Sequence, residues 1–241
     1  MTEARIRLYV DQALGPGQPV AVGEGQANYL FNVMRLGSGA AVLVFNGRDG
    51  EWRAVVEAAG KRSGVLRCEA LTAPLRLPPD LWLLFAPIKK ARTDFIVEKA
   101  VELGVARVLP VQTRRTNADR IRQDRLQAHA MEAAEQCGAT FVPEVAKLVA
   151  LDKVLDTWPE GRRLLWCDEA LAGQSAALTG ARGESWAILI GPEGGFSEGE
   201  QGRLRAMPGV VPLSLGPRIL RADTAAVAAL TLWQAALGDW G

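Results

Sequence analysis

The sequence has few of the residues from which metal centres and nucleophilic sites are usually built. Its 241 residues include three cysteines, Cys68, Cys137 and Cys167, and a single histidine, His129. The cysteines are far apart and show no CxxC spacing, so they suit a reducing compartment and argue against a zinc knuckle. A Ser-His-Asp triad would have to use His129, which falls in a helical pattern and is better interpreted as part of a helix. We therefore expect no metal site.

Long apolar runs are also lacking. No stretch approaches the roughly 20 residues that a membrane-spanning helix needs. Glu3, Arg5 and Arg7 occupy the region where a signal peptide would have its apolar segment. Hydrophobic residues make up 49% of the chain and charged residues 23%, which is ordinary for a folded protein with its own core. We expect a cytoplasmic protein with no membrane partner.

The common nucleotide-binding signatures are missing as well. No GxGxxG follows a predicted strand with an acidic residue downstream, and no GxxxxGK[ST] occurs. These absences disfavour a dinucleotide-binding domain and a P-loop NTPase. A ligand pocket, if the chain has one, must be built in another way.

The net charge of +1 conceals an uneven distribution of basic residues. Between Ala86 and Arg125 there are ten lysines and arginines against five acids, whereas from Leu126 to Leu213 there are seven against twelve. Such a concentration is typical of a face that binds a polyanion. A solvated helix surface would give the same pattern, and charge alone does not separate the two.

The first 73 residues predict a small β-domain. Short apolar stretches separated by turn signals indicate strands, and one helix, Ala27 to Arg35, interrupts them. This pattern is typical of a small barrel or sandwich, and the proline-rich stretch 74–80 is expected to be a linker. The predicted strands are Ile6 to Val10, Pro19 to Val22, Ala41 to Phe45, Trp52 to Ala58 and Val65 to Ala70.

Residues 81–241 alternate between strand and helix patterns, which predicts an α/β domain with a largely parallel sheet. Ligands of such sheets bind beyond the carboxyl ends of the strands. The rule points to the segments after strands Trp186 to Ile190 and Val210 to Leu215. The other predicted strands are Leu81 to Ala86, Val105 to Val111, Phe141 to Val145 and Leu164 to Cys167, and the predicted helices are Lys89 to Leu103, Arg120 to Cys137, Leu151 to Trp158, one after Ser197, and Asp223 to Leu237.

Two glycine-containing segments follow those strands. In Ile190 to Ser197, three glycines and a proline let the backbone turn sharply and approach a ligand, and Ser197 can cap the next helix. In Leu213 to Thr224, a Gly-Pro turn precedes Arg218 and Arg221, and Asp223 or Thr224 is placed to cap the last helix. A tight turn without a ligand is the alternative for each segment. Two such turns within about thirty residues favour one shared pocket.

Taken together, the two segments closely resemble those of the RsmE-type SPOUT methyltransferases. Further similarities run through the chain in order: Val33 to Gly37, Lys99 with Glu102 to Val105, and Glu135 to Gly138 with Val142 to Glu144. Members of that family methylate N3 of a uridine in 16S ribosomal RNA. The resemblance implies an N-terminal PUA-like β-barrel, 1–73, and a SPOUT domain, 81–241, whose end is threaded into a deep trefoil knot.

The resemblance also implies S-adenosylmethionine as cofactor and a homodimer in which RNA reaches across both subunits. The cofactor loops would be those after Cys167 and at the two glycine segments. The implied cofactor-binding residues are Ile190, Gly191, Pro192, Glu193, Gly194, Gly195, Leu213, Leu215, Gly216 and Leu220. Arg218 and Arg221 are expected to position the uridine or its phosphate, while Glu193 and Asp223 are alternative bases, each with a structural role at a helix start as the other interpretation.

For RNA binding we predict phosphate contacts from the second domain and one contribution from the first. The residues are Lys89, Lys90, Arg92, Arg114 and Arg115, with Arg35 in the small domain. Two departures from the family pattern, Ala139 and the Ala222-Asp223 pair, concern RNA contact. Free RNA and the assembled small subunit are both open as substrates. A non-catalytic RNA-binding factor, a phosphate-binding hydrolase and an enzyme acting on transfer RNA or a ribose hydroxyl are the rival interpretations.

Overall fold

The computed structural model describes residues 4–118, 120–168, 171, 178 and 180–240. The chain forms two compact units. The first comprises Met1–Leu77 and Ala134–Val142, and the second comprises Pro78–Ala133 and Pro143–Gly241. The grouping of Ala134–Val142 with the N-terminal unit was not foreseen from the sequence. None of the helices in the described ranges is long and apolar enough to cross a membrane.

The first unit contains one five-stranded sheet. Its strands are β1 (Arg7–Tyr9), β2 (Pro19–Val22), β3 (Ala41–Phe45), β4 (Glu51–Ala59) and β5 (Gly64–Ala73), in the order β1-β3-β4-β5-β2. β1 pairs parallel with β3, and the remaining pairs are antiparallel. A short helix, α1 (Glu24–Ala27), continues into a π-helix (Asn28–Val33). The predicted helix, Ala27 to Arg35, is therefore confirmed in position. It starts earlier, at Glu24, and its second part is a π-helix.

The second unit contains a parallel sheet in the order β12-β10-β11-β6-β7-β8, with β9 also parallel to β7. This confirms the predicted α/β class, and all five residues of β11 are buried, as a central strand covered on both faces requires. The strands are β6 (Leu81–Phe85), β7 (Arg107–Gln112), β8 (Glu144–Val145), β9 (Val149–Ala150), β10 (Arg163–Cys167), β11 (Trp186–Ile190) and β12 (Val210–Leu213). The helices are α2 (Lys90–Glu102), α3 (Gln123–Cys137), α4 (Leu151–Asp156), α5 (Glu198–Ala206) and α6 (Ala222–Leu237).

The chain reverses its direction across the sheet after β12. That strand lies at the sheet edge beside β10, yet α6, which follows it, packs against α2 and β11. The connection between them therefore passes back over the carboxyl ends of β10 and β11. The trefoil knot that the family resemblance implies stays a prediction.

A buried arginine joins the strands β6, β10 and β11 at their amino ends. Arg162 stacks on the ring of Trp82 at 3.7 Å and donates to both carboxylate oxygens of Asp80 at 2.8 Å and to the carbonyl of Trp186 at 2.8 Å. Ser185 Oγ donates to the same carboxylate at 2.7 Å. Burial by itself would raise the pKa of Asp80, but the hydrogen bonds from Ser185 and Arg162 outweigh it and lower the pKa.

In the first unit, Arg7 holds the end of α3. Its Nη1 donates to the carbonyls of Ala134 at 2.5 Å and Glu135 at 2.9 Å, and its Nη2 donates to the carbonyl of Ala139 at 2.8 Å. Its Nε lies 2.6 Å from Glu51 Oε2. The last carbonyls of a helix have no partner within the helix, so Arg7 satisfies groups that would otherwise need water.

Candidate functional site

A pocket of about 440 Å³ lies at the carboxyl ends of four adjacent parallel strands, β12, β10, β11 and β6. This is where open parallel sheets bind ligands, and the volume is in the range of small-molecule sites. Residues that follow each of the four strands contribute to the walls. The lining residues are Lys89, Arg92, Cys167, Asp168, Ile190, Gly191, Pro192, Glu193, Gly195, Phe196, Gln201, Leu213, Leu215, Gly216, Arg218, Ile219, Leu220, Arg221, Ala222 and Ala225.

The structure brings the two predicted glycine segments together in this pocket. Nine of the ten predicted cofactor-binding residues line it: Ile190, Gly191, Pro192, Glu193, Gly195, Leu213, Leu215, Gly216 and Leu220. Gly194 is the exception, and its carbonyl instead accepts a hydrogen bond from Arg115 Nη1 at 2.8 Å. The single pocket suggested by the repeated strand-end turns is therefore present.

Glycine is required at these positions for two different structural reasons. Gly195 and Gly216 have φ angles of 66° and 102°, in the region that only glycine enters easily. Gly191 instead is limited by packing, because a Cβ atom there would lie 2.7 Å from Phe196 Cε2. The Phe196 ring is 5% exposed and meets Trp166 edge to face at 6.0 Å. The loop is thus shaped by the core as well as by the space above it.

Cys167 and Asp168, at the end of β10, are wall residues that the sequence analysis did not select individually. Burial raises the pKa of the Cys167 thiol to about 12, so the thiol is neutral near pH 7 and is not a thiolate nucleophile. The strand-end rule, applied to β10 as well, would have identified both. The segment after Cys167 was predicted as a further cofactor loop, but positions 169, 170, 172–177 and 179 lie outside the described residues.

Arg92 connects the two glycine segments through their acidic residues. Its Nη1 lies 3.4 Å from Glu193 Oε1, and its Nε lies 3.6 Å from Asp223 Oδ2. Both carboxylates that were considered as bases therefore face the same guanidinium. Arg218 and Arg221 line the pocket on the side of the second segment and have exposed side chains.

The two predicted helix caps differ in outcome. Ser197 caps α5 as predicted, within a capping box in which Glu200 Oε2 accepts from the Ser197 backbone N–H at 2.8 Å. The prediction that Asp223 or Thr224 caps α6 is wrong, because the helix already begins at Ala222 with Arg221 as its N-cap. Asp223 lies in the first turn, where its charge favours the helix dipole.

The remaining residues predicted for RNA contact are dispersed. Lys90 is exposed at the start of α2, and the Arg114 backbone N–H donates to Glu200 Oε1 at 2.8 Å, which links the loop after β7 to α5. Arg35 is exposed in the first unit with a φ of 54°, a strained value for a residue with a side chain. Within the described residues, no group of three or more His, Cys, Asp or Glu side chains is placed to hold a metal ion.

Comparison with known proteins identifies the class to which this fold and pocket belong. A family model described as an RNA methyltransferase domain matches residues 75–234, and a model described as an RNA methyltransferase PUA domain matches residues 22–67. The first model covers well over half of the chain. The class is therefore that of RNA methyltransferases that carry a PUA domain.

Individual relatives are similar over nearly the whole chain. A methyltransferase from Legionella pneumophila, in complex with the bound cofactor SAM, is 31% identical, has a TM-score of 0.89 and is matched over 99% of this chain and 100% of its own. Ribosomal RNA small subunit methyltransferase E from Neisseria gonorrhoeae, bound to S-adenosylmethionine, is 27% identical with a TM-score of 0.85, over 98% of this chain and 99% of its own. The protein of the same name from Synechocystis is 30% identical over 217 residues, 88% of this chain and 71% of its own. The chain belongs to the ribosomal RNA small subunit methyltransferase E family.

Proposed function

We propose that this protein transfers a methyl group from S-adenosylmethionine to N3 of a uridine in 16S, small-subunit, ribosomal RNA. The observation that carries the proposal is the pocket shared by Gly191–Gly195 and Leu213–Arg221. It is supported by the family relationship and by the S-adenosylmethionine bound in the Legionella and Neisseria structures.

The residues of the pocket fit this cofactor. Its apolar walls, from Ile190, Leu213, Leu215 and Leu220, suit a flat adenine ring, and the left-handed backbone at Gly195 and Gly216 lets main-chain groups come close to a ligand. When bound, S-adenosylmethionine supplies an electrophilic methyl group on a sulfonium centre. Glu193 lines the pocket, where a carboxylate suits a cationic ligand, and Arg92 pairs with both Glu193 and Asp223.

Arg218 and Arg221 are placed to act on the RNA side of the pocket. Methylation at N3 requires the imide proton to leave while the nitrogen bonds to the methyl carbon, and negative charge spreads to the flanking carbonyl oxygens. Guanidinium donors directed at those oxygens, or at the adjacent phosphate, lower the barrier and fix the base in position. Glu193 and Asp223 are the two candidates for accepting the proton.

Phosphate contacts come from Lys89, Lys90, Arg92, Arg114 and Arg115, with Arg35 contributing from the first unit. Affinity for RNA then falls steeply as salt concentration rises, because neutralising phosphates releases counterions. A salt-insensitive interaction contradicts this assignment. The compartment we propose is the cytoplasm, in keeping with the three free cysteines Cys68, Cys137 and Cys167.

The partner we propose is a second copy of the chain, docked on α6. From Thr224 to Leu237 this helix has no charged residue, yet Thr224, Leu232, Ala235 and Ala236 are exposed. An uncharged outer face is unusual for a helix that meets only water and is typical of a homodimer interface. Leu232, a large apolar side chain on this face, is 48% exposed.

The proposed reaction is tested by mapping the labelled nucleotide after incubation with tritiated cofactor and either free 16S RNA or small subunits. The expected result is label at N3 of a single uridine. Label in transfer RNA or at a ribose hydroxyl contradicts the proposed substrate. Calorimetry with S-adenosylmethionine separates an enzyme from an inactive scaffold, because a scaffold that has lost the reaction need not bind the methyl donor.

A further inference from the structure

A second cavity, of about 320 Å³, lies beside the start of α2. Lys89 and Arg92 line the first pocket, whereas Lys90, Thr93 and Asp94 line this one, so the first turn of α2 separates the two. Both cavities belong to the second unit. The two cavities are therefore neighbours within that unit.

The cavity combines apolar and cationic side chains. Pro87, Ile88, Ile121 and Leu126 supply apolar surface, and Leu126 is buried. The cationic lining residues are Lys90, Arg120, Arg122 and Arg125. Apolar surface surrounded by cations matches a nucleotide, whose base is flat and whose phosphate is anionic.

The acidic group in the cavity does not oppose an anion, because it is already paired. Asp94 is 8% exposed, and its Oδ2 lies 2.5 Å from Arg125 Nη2 while its Oδ1 lies 3.7 Å from His129 Nε2. Arg122 Nη2 lies 2.7 Å from Asp124 Oδ2, so this guanidinium is paired as well. Arg125 and Arg122 are thus mostly engaged within the protein.

Lys90 and Arg120 carry the remaining positive charge. Both side chains are exposed, and neither has an ion pair or hydrogen bond among the residues that the structure describes. Two cations without an acidic partner in the described part of the chain, beside a concave apolar surface, are an arrangement that attracts and orients a phosphodiester.

We infer that this cavity binds a second nucleotide of the RNA substrate, distinct from the one that is methylated. Its base lies against Ile88 and Ile121, and its phosphate is held by Lys90 and Arg120. The inference rests on the proposed function, because it assumes that RNA occupies the first pocket. It adds a base-binding subsite and assigns Arg120 and Ile121, which sequence analysis did not select, to substrate recognition.

The charged part is tested with Lys90→Glu and Arg120→Glu, and Lys153→Glu on α4 is the matched charge reversal away from the cavity. Methylation of small-subunit RNA is measured at several RNA and salt concentrations. We expect the two cavity variants to raise the half-saturating RNA concentration about tenfold and to reduce the salt slope by about one, while Lys153→Glu leaves both near wild type. The Kd for S-adenosylmethionine is expected to be unchanged in all three.

The base-binding part is tested with RNA fragments in which single positions near the target carry no base. One abasic position is expected to weaken binding to the wild-type protein about tenfold and to have little effect on Ile121→Ala, which has already lost part of the apolar surface that the base contacts. Cavity variants that behave like Lys153→Glu, or abasic effects that are equal in wild type and Ile121→Ala, overturn the subsite, and the former result also removes the phosphate contact of Lys90, but neither touches the proposed reaction. A wild-type protein that methylates no ribosomal RNA overturns the proposed function, and the subsite with it.

Discussion

At the scale of single residues, Gly191 lies closer to the Phe196 ring than a side chain permits. We expect Gly191→Ala to lower the free energy of unfolding by about 1–3 kcal/mol, because either the loop or the buried ring must shift. Gly194→Ala is the control, since a Cβ there meets Arg115 carbon atoms at 3.6 Å, an ordinary contact. Urea unfolding of both variants makes the comparison, and equal losses would show that backbone conformation, not Phe196, limits the loop.

Arg218 provides a test of how the pocket acts on RNA. Its exposed side chain lines the pocket beside Ile219, so we expect Arg218→Ala to slow single-turnover methylation at saturating RNA by about 10- to 100-fold. Lys147→Ala, an exposed cation elsewhere in the second unit, is the control. A wild-type rate for Arg218→Ala under RNA saturation would remove this residue from the reaction.

At the scale of strands, Asp80 and Arg162 join β6, β10 and β11 at their amino ends. The pKa of Asp80 is lower in the folded chain than its usual value of about 3.9. The stabilisation is therefore complete above about pH 4 and is lost as the pH falls through the folded-state pKa. We expect Asp80→Asn to cost about 1–2 kcal/mol at pH 7, a value discounted because the carboxylate is half exposed.

The pH dependence of this variant is as informative as its magnitude. The difference between wild type and Asp80→Asn should shrink below pH 4 in urea unfolding, since both then carry a neutral group at position 80. Asp156→Asn breaks a more exposed pair with Arg203 and should cost less at pH 7. A loss of stability at Asp80→Asn that does not change with pH would mean that packing, not charge, holds the three strands.

At the scale of the whole molecule, the uncharged outer face of α6 is the surface that we propose for the homodimer. We expect Leu232→Glu to convert a dimer into a monomer in sedimentation experiments, because it places a charge within an apolar interface. Lys153→Glu, a charge change on an exposed part of α4, should leave the mass of the sedimenting assembly unchanged. A wild-type chain that sediments as a monomer at all concentrations tested would contradict the proposed homodimer.

The sequence predicted elements better than it predicted the contacts between them. Periodicity located β11 and α6 nearly to the residue, and the strand-end rule located the pocket, because both depend on local patterns. Arg7, which binds carbonyls of Ala134 and Ala139, could not be found in this way, since its partners lie far along the chain. Glu200 had a local signal, because Ser197 three residues earlier gives the capping-box spacing, but its bond to Arg114 had none.

Because the chain returns over the sheet after β12, the pocket includes residues that are made near the end of synthesis. Lys89 and Arg92 leave the ribosome long before Leu213 to Ala225, yet all of them line the same pocket. Synthesis proceeds at about 5–20 residues per second, so several seconds pass between the appearance of the first pocket residues and that of the last. Until then the nascent chain has no complete pocket for a methyl donor, so methyl transfer cannot begin before α6 has been made and has folded.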